Sequence, residues 1–174
     1  MIRYAALVVL FLVAWTQTAQ ADFSQEIRMC DFGGNHPDIR IIACTRNINS
    51  GRFTGQNLAQ AFTNRGLAYK RKGLWDKAIA DYDEAIRLKP DLAETFINRG
   101  TAYYYKGQFD RAIRDYDEAI RLKPDNAQVF ADRGLSYEKK GELTQALRDF
   151  KRAHALGFRH LLLLKKLREG GEFL

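Results

Sequence analysis

The sequence predicts an all-α fold in which antiparallel helix pairs are stacked side by side. Two observations lead to this prediction. First, a period of 34 residues runs through the chain: residues 64–66 return as 98–100 and 132–134, and residues 78–90 return almost unchanged as 112–124. Second, each unit carries apolar residues at helical spacing on both sides of a glycine. A period of this length indicates a repeat architecture, in which each unit covers the apolar face of the next.

The first helix of each unit is predicted from an aromatic residue, a glycine and a tyrosine at helical spacing, which are Phe96, Gly100 and Tyr103 in the second unit. A further glycine then provides the permissive backbone that a tight turn between two helices requires. The turn glycines are Gly73, Gly107 and Gly141.

The second helix of each unit is predicted from another apolar stripe. In the first unit this stripe consists of Ala78, Ile79, Tyr82, Ala85 and Ile86. Good N-cap residues precede the second helices, and these predicted caps are Asp76, Asp110 and Thr144. Pro90 and Pro124 are expected to end the helices, because proline cannot continue a helical hydrogen-bond ladder.

These residues resemble the tetratricopeptide repeat, whose pattern is an aromatic, a leucine-glycine pair, a tyrosine, an alanine, an aromatic, a second alanine and a proline. In the phase of that family the units span 59–92, 93–126 and 127–160, which is 102 of the 174 residues. The resemblance implies a right-handed superhelical solenoid that binds proteins or peptides. In two departures from the pattern, arginine replaces the leucine in all three units, and Phe158 stands in place of the third proline.

The arginines have a regular relation to aspartates further along the chain. Arg65, Arg99 and Arg133 are each followed sixteen residues later by an aspartate, namely Asp81, Asp115 and Asp149. Because sixteen residues span one helical hairpin, we expect each arginine to pair with the aspartate of its own unit, with its stem covering apolar surface. Solvated and unrelated charges are the alternative.

The resemblance also implies that the first helices of successive units line a concave groove. Carried over position by position, the groove residues are Gln60, Thr63, Leu67, Lys70 and Arg71, then Glu94, Ile97, Thr101, Tyr104 and Tyr105, then Gln128, Ala131, Leu135, Glu138 and Lys139. Tyr104 and Tyr105 are the expected anchors, because aromatic side chains often dominate binding energy; they could also be ordinary surface residues. Lys70 and Arg71 favour an acidic or C-terminal carboxylate partner.

The carboxylate clamp of some members of the family is not matched in this sequence. Thr63 and Leu67 occupy the positions of a lysine and an asparagine, and Asp132 occupies the position of a cation.

The first 21 residues are predicted to be a signal peptide. Arg3 precedes an apolar run, 4–15, and a polar stretch that ends in Ala-Gln-Ala at 19–21. A membrane anchor is the alternative, but the run is shorter than the roughly 20 residues that a spanning helix needs. We therefore expect a periplasmic or secreted protein without an integral membrane segment after cleavage. Its formal net charge falls from +7 to +6 on loss of Arg3.

Residues 22–56 are predicted to form a disulfide-linked N-terminal cap that resembles a degenerate repeat. Cys30 and Cys44 are the two cysteines, and an exported protein meets oxidising conditions. A helix is expected from Ile39 to Ile48, after Pro37 and Asp38. A metal site formed by Cys30, His36 and Cys44 is the alternative, although structural zinc usually has four ligands.

Residues 161–174 are predicted to form an amphipathic capping helix, since a repeat array needs a terminal element over its last apolar face. A basic membrane anchor is the alternative.

The sequence shows no catalytic constellation, and we expect neither enzymatic activity nor a cofactor or metal. The histidines, His36, His154 and His160, fall in different segments. Export argues against nucleic acid as a partner, and the oligomeric state stays open. The leading interpretation is a periplasmic scaffold or adaptor that binds a peptide or protein surface. The alternatives are an accessory subunit of a cell-wall enzyme and a self-associating structural element.

Overall fold

The computed structural model describes residues 29–31, 36–159 and 165, and its described part consists of helices joined by short turns, without a strand. Residues 29–31 are helical. The helices that follow are α1 (Pro37–Asn49), α2 (Gly55–Arg71), α3 (Trp75–Leu88), α4 (Ala93–Tyr105), α5 (Phe109–Leu122), α6 (Ala127–Lys139) and α7 (Leu143–Ala155). The predicted all-α fold is thus confirmed.

The helices pack as three antiparallel hairpins, α2 with α3, α4 with α5 and α6 with α7. Each hairpin packs against the next one along the chain, and α1 packs against α2. The first helices also touch one another directly, α2 with α4 and α4 with α6. The three first helices therefore share one surface of a solenoid, as the repeat pattern predicts.

The turns and helix ends follow from the backbone preferences of glycine and proline. Gly73, Gly107 and Gly141 adopt φ values of 69°, 72° and 80°, in the left-handed region that favours glycine. Lys89 ends α3 with an extended backbone, at φ −148° and ψ 92°. The reason is steric, because the ring of the following proline excludes the helical conformation at the preceding residue.

Each hairpin is closed by a ring packed against a glycine. A Cβ placed on Gly100 would lie 2.8 Å from Cε1 of Tyr116, and one on Gly134 would lie 2.5 Å from Cε1 of Phe150. Tyr116 and Phe150 are almost fully buried. The conserved spacing within the units therefore places a residue without a side chain where the two helices of a hairpin come closest.

The predicted N-caps of the second helices are wrong. Leu74, Gln108 and Glu142 occupy the N-cap positions, two residues before those predicted, and none of these side chains caps its helix. Asp76 and Asp110 lie instead in the first turn, where a carboxylate interacts favourably with the helix dipole. Their oxygens pair with lysines of the following repeat.

A row of lysine–aspartate pairs joins successive units. Lys106 binds Asp76, and Lys140 binds Asp110 at 2.7 Å. At the N-terminal end, Lys72 binds Asp38 of α1 in the same manner. Helix α1 therefore takes the place that the second helix of a preceding repeat would have.

The predicted disulfide between Cys30 and Cys44 is present, with an S–S distance of 2.18 Å and a Cα–Cα distance of 4.7 Å. Both cysteines are buried against Ala43 and Ala61, so the bond fastens residues 29–31 to α1 and α2. The leader, 1–21, lies outside the described residues, and so does 161–174 apart from residue 165. Within the described residues, no helix is long and apolar enough to cross a membrane.

Candidate protein-interaction groove

The surface shared by α2, α4 and α6 carries three polar residues at equivalent repeat positions, which we name the polar row: Asn64, Asn98 and Asp132. Asn64 is buried, and its amide nitrogen donates to the Asp31 carboxylate at 2.9 Å. The Asn98 side-chain oxygen accepts a hydrogen bond from Lys70 Nζ at 2.7 Å. The first two members of the row are thus bound by other residues of the chain.

Asp132 is the third member of the polar row and its only charged one. Oδ1 of Asp132 accepts a hydrogen bond from Gln128 Nε2 at 2.9 Å. Burial raises the pKa of Asp132, whereas the bond from Gln128 and the charge of Lys70 act in the opposite direction. The site therefore holds a carboxylate that is partly removed from water.

Lys70 and Arg71, the predicted acid-binding residues, differ in their surroundings. Lys70 is half-buried and donates to Asn98, one repeat further along the groove. Burial lowers the pKa of Lys70, while the negative charge of Asp132 opposes that shift. Arg71 is exposed at the end of α2. Of the two cations, Arg71 is the more exposed to solvent.

The two predicted aromatic anchors form part of a larger ring cluster. Tyr105 is 63% exposed and stacks on Trp75 of the preceding hairpin, with centroids 4.8 Å apart and planes inclined by 7°. Tyr104 is half-buried, and its ring meets the edges of Tyr105 and Phe109, both at 5.6 Å. The stack places Tyr105 at the rim of the groove, next to the turns, with one face covered by protein.

Trp75 and Phe109 were not among the predicted site residues. A signal was present, since both follow a turn glycine by two residues and stand one period apart. Trp75 contacts Tyr105 across two hairpins, which the pattern within one unit does not show, whereas Phe109 contacts Tyr104 within one hairpin, across its turn.

The remaining predicted groove residues are divided between the surface and the packing beneath it. Ile97 and Leu135 are half-buried and pack on the cores of the second and third units. The Thr101 hydroxyl donates to the Ile97 carbonyl at 2.8 Å and accepts from the Tyr116 hydroxyl at 3.4 Å. Lys139 is exposed.

Two positions that the resemblance places in the groove are buried between helices instead. Thr63 is 6% exposed, and its hydroxyl lies 3.2 Å from that of Thr95 on α4. Ala131 is 4% exposed. Helix α4 covers Thr63, and Ala131 belongs to the core of the third hairpin, so a ligand in the groove would not reach either side chain.

The predicted arginine–aspartate pairs are confirmed, and they lie within the framework that supports the groove. Arg99 donates from Nε and Nη2 to the two oxygens of Asp115, at 2.9 and 2.7 Å. Its third nitrogen, Nη1, donates to Asp83 of the preceding unit at 2.6 Å. Arg133 repeats this arrangement with Asp149 and Asp117. Arg65 pairs with Asp81, and Thr45 of α1 takes the place of the preceding unit's aspartate.

Across the described part of the chain, no three His, Cys, Asp or Glu side chains are grouped so that they could hold a metal ion. His154 is half-buried and contacts Arg159 through its ring. Both sulfur atoms of the alternative metal site, those of Cys30 and Cys44, are joined in the disulfide.

Comparison with known proteins relates the chain to one family. A tetratricopeptide repeat model matches residues 59–92, and a second TPR repeat model matches residues 100–141. No curated protein sequence matches the chain significantly.

Several solved structures share the fold. The crystal structure of MamA is 23% identical, with a TM-score of 0.70, and the match covers 91% of this chain and 88% of that one. The first TPR of Spaghetti (RPAP3), bound to the HSP90 peptide SRMEEVD, is 23% identical, with a TM-score of 0.65 and coverages of 70% and 97%. The N-terminal domain of stress-induced protein-1 (STI-1) from C. elegans is 23% identical, with a TM-score of 0.60 and coverages of 67% and 97%.

These likenesses agree with the 34-residue period, the turn glycines and the stacked hairpins. Together, the repeat pattern, the fold and the two family matches identify the chain as a tetratricopeptide-repeat protein.

Proposed function

We propose that the protein is an exported scaffold or adaptor that binds a peptide segment or protein surface of another envelope component in the groove of α2, α4 and α6. The observation that carries this proposal is the ring cluster at the rim of the groove, which contains Tyr104, Tyr105 and Trp75. Tyr105 is 63% exposed although it is held in one orientation by its stack on Trp75. A large aromatic side chain that is already ordered loses little conformational entropy when a partner covers it.

The cations beside the rim support a partner with an acidic group. Arg71 is exposed at the end of α2, and a guanidinium can bind a carboxylate through two parallel hydrogen bonds. A structural relative, the first TPR of Spaghetti (RPAP3), binds the HSP90 peptide SRMEEVD, which contains acidic residues. The groove of this chain differs from a carboxylate clamp, because Thr63 is buried and Asp132 is an anion. The acidic group is therefore expected near Arg71 and not at Asp132.

The experiment is a quantitative pull-down from envelope extract with the wild type and the Tyr104→Ala/Tyr105→Ala variant. Loss of both rings should reduce the recovery of specific partners at least tenfold, since hot-spot aromatics often cost 2 kcal/mol or more when truncated, roughly a thirtyfold change in affinity. The matched control is Leu143→Ala, because Leu143 is 66% exposed but lies at the start of α7, outside the groove. Circular dichroism checks that both variants fold. Equal recovery by the double variant and the wild type would rule out the groove.

Export and the form of the partner have separate tests. N-terminal sequencing of the mature protein should begin at residue 22, as the predicted cleavage after Ala21 requires. Recovery of a cell-wall enzyme in the pull-down would identify the protein as an accessory subunit. Sedimentation over a range of concentrations tests self-association.

A further inference from the structure

Within the described part of the chain, Asp132 is the member of the polar row with a side-chain oxygen that no donor binds. Asn64 is engaged by Asp31, and Asn98 is engaged by Lys70. Asp132 receives one side-chain hydrogen bond, from Gln128 to Oδ1, and among the described residues no donor binds Oδ2. A half-buried carboxylate on the surface that α2, α4 and α6 share is a strong acceptor for a charged donor.

The charges around Asp132 favour a cation at this point. Glu138 lies on the same helix as Asp132. Burial is the largest cause that raises the pKa of Tyr104, and the negative charges of Glu138 and Asp132 raise it further. The negative charge of Asp132 acts on Lys70, but Lys70 donates its hydrogen bond to Asn98. Within the described part of the chain, Lys70 forms no ion pair with Asp132. Asp132 and Glu138 thus place negative charge near Tyr104, although Lys139 on the same helix is exposed and the chain as a whole carries a formal net charge of +7.

The ring of Tyr104 is a second part of the groove that suits a basic side chain. Its ring is half-buried and fixed by edge contacts with Tyr105 and Phe109. A lysine or arginine stem packs well on such a surface, and its charged group is attracted to the face of an aromatic ring.

We propose that the segment bound in the groove carries a lysine or arginine side chain that donates to the Asp132 carboxylate and packs its stem against Tyr104. This inference rests on the proposed function, because it names the chemistry of the segment that the groove binds. The segment also carries the acidic group expected near Arg71. Arg71 and Asp132 lie on α2 and α6, which both contact α4, so a segment that crosses the three first helices would pass both residues.

The probe is a phage-displayed library of random 12-residue peptides, selected on the full-length wild type, on Asp132→Asn and on Asp125→Asn. Asparagine keeps the shape of Asp132 and the oxygen that accepts from Gln128. Asp125 is the matched control, since it is an exposed carboxylate in the turn before α6 and its substitution makes the same change in net charge. Peptides selected on the wild type and on Asp125→Asn should be enriched in lysine or arginine at one position, and those selected on Asp132→Asn should not.

A selected peptide is then measured by fluorescence anisotropy in a double-mutant cycle. Asp132→Asn should weaken binding about tenfold, and so should replacement of the peptide's basic residue by methionine. With both changes made, the loss should stay near tenfold, because both remove the same contact. If the double change weakened binding about a hundredfold, as two independent tenfold losses would, the inference would be overturned and the proposed function would stand. Selected peptides without a preferred basic residue would have the same consequence. Failure to select any groove-dependent peptide on the wild type would overturn both.

Discussion

Arg99 lies between the rings of Phe96 and Tyr103, with its guanidinium carbon 5.5 and 6.0 Å from their centroids. Burial alone would lower the pKa of Arg99, but the hydrogen bonds that it donates to the carboxylates of Asp115 and Asp83 raise it, so the guanidinium stays charged. Asp115 is 6% exposed and depends on this partner. The arginine that replaces an apolar residue of the family pattern therefore packs through its planar faces and bonds through its edge.

We predict that Arg99 and Asp115 are strongly coupled. Arg99→Leu should lower the free energy of unfolding by about 3 kcal/mol, because it leaves a buried carboxylate without its partner. In the double variant Arg99→Leu/Asp115→Ala the total loss should be smaller than the sum of the two single losses by about 1–3 kcal/mol. Urea unfolding followed by circular dichroism measures all four proteins of the cycle.

The control for this cycle is an exposed pair of the same chemistry. Arg121 and Glu118 form an ion pair at 2.6 Å on the surface of α5, with 65% and 35% of their side chains exposed. Water screens this pair, so its cycle should show a coupling close to zero. Additive losses at Arg99 and Asp115 would show that the buried pairing contributes no stability of its own.

Among the elements, α1 has the least repeat-like sequence but makes repeat-like contacts. Thr45 accepts a hydrogen bond from Arg65 at 3.0 Å, where Asp83 binds Arg99 in the following unit. Asp38 binds Lys72, as Asp76 binds Lys106. The disulfide adds a covalent link to a helix that, among the described helices, packs against one hairpin.

We predict that the disulfide supplies much of the stability of this cap. The Cys30→Ser/Cys44→Ser variant should lose about 3 kcal/mol, the value expected for closing a loop of about 15 residues. Hydrogen exchange should show the loss in α1, while α4 to α7 keep their protection because they contact neither cysteine. Reductant should reproduce the effect in the wild type and have none on the variant. Uniform loss of protection along the chain would contradict a local role.

The helices could be predicted from sequence because a residue type that recurs at a fixed period occupies the same environment in every unit. The spacing of Arg99 and Asp115 is constant for the same reason, and it gave the correct pairing. The N-caps could not be predicted in this way, because Asp76 is engaged by Lys106 of the next hairpin. The stack of Tyr105 on Trp75 also joins two hairpins. Contacts between units depend on how the units nest, and propensities within a unit do not carry that information.

For the molecule as a whole, the contacts among the described helices run chiefly between neighbouring hairpins, so stability is expected to be a sum of unit and interface contributions. Two of the arginine contacts cross these interfaces. Arg99 reaches back to Asp83, and Arg133 reaches back to Asp117, both at 2.6 Å. Because each arginine also binds the buried aspartate of its own unit, it connects the interior of one hairpin with the surface of the preceding one.

We predict that these links contribute to cooperative unfolding. The Asp83→Asn/Asp117→Asn variant should weaken each interface by roughly 0.5 kcal/mol, a small value because both carboxylates are about half exposed. Its urea transition should become broader and its m-value lower, since loosely coupled units unfold over a wider range of denaturant. The matched control is Glu84→Gln/Glu118→Gln, which removes the adjacent carboxylates that pair within their own helices. A transition as broad in the control as in the variant would show that net charge, and not the connection between hairpins, sets the cooperativity.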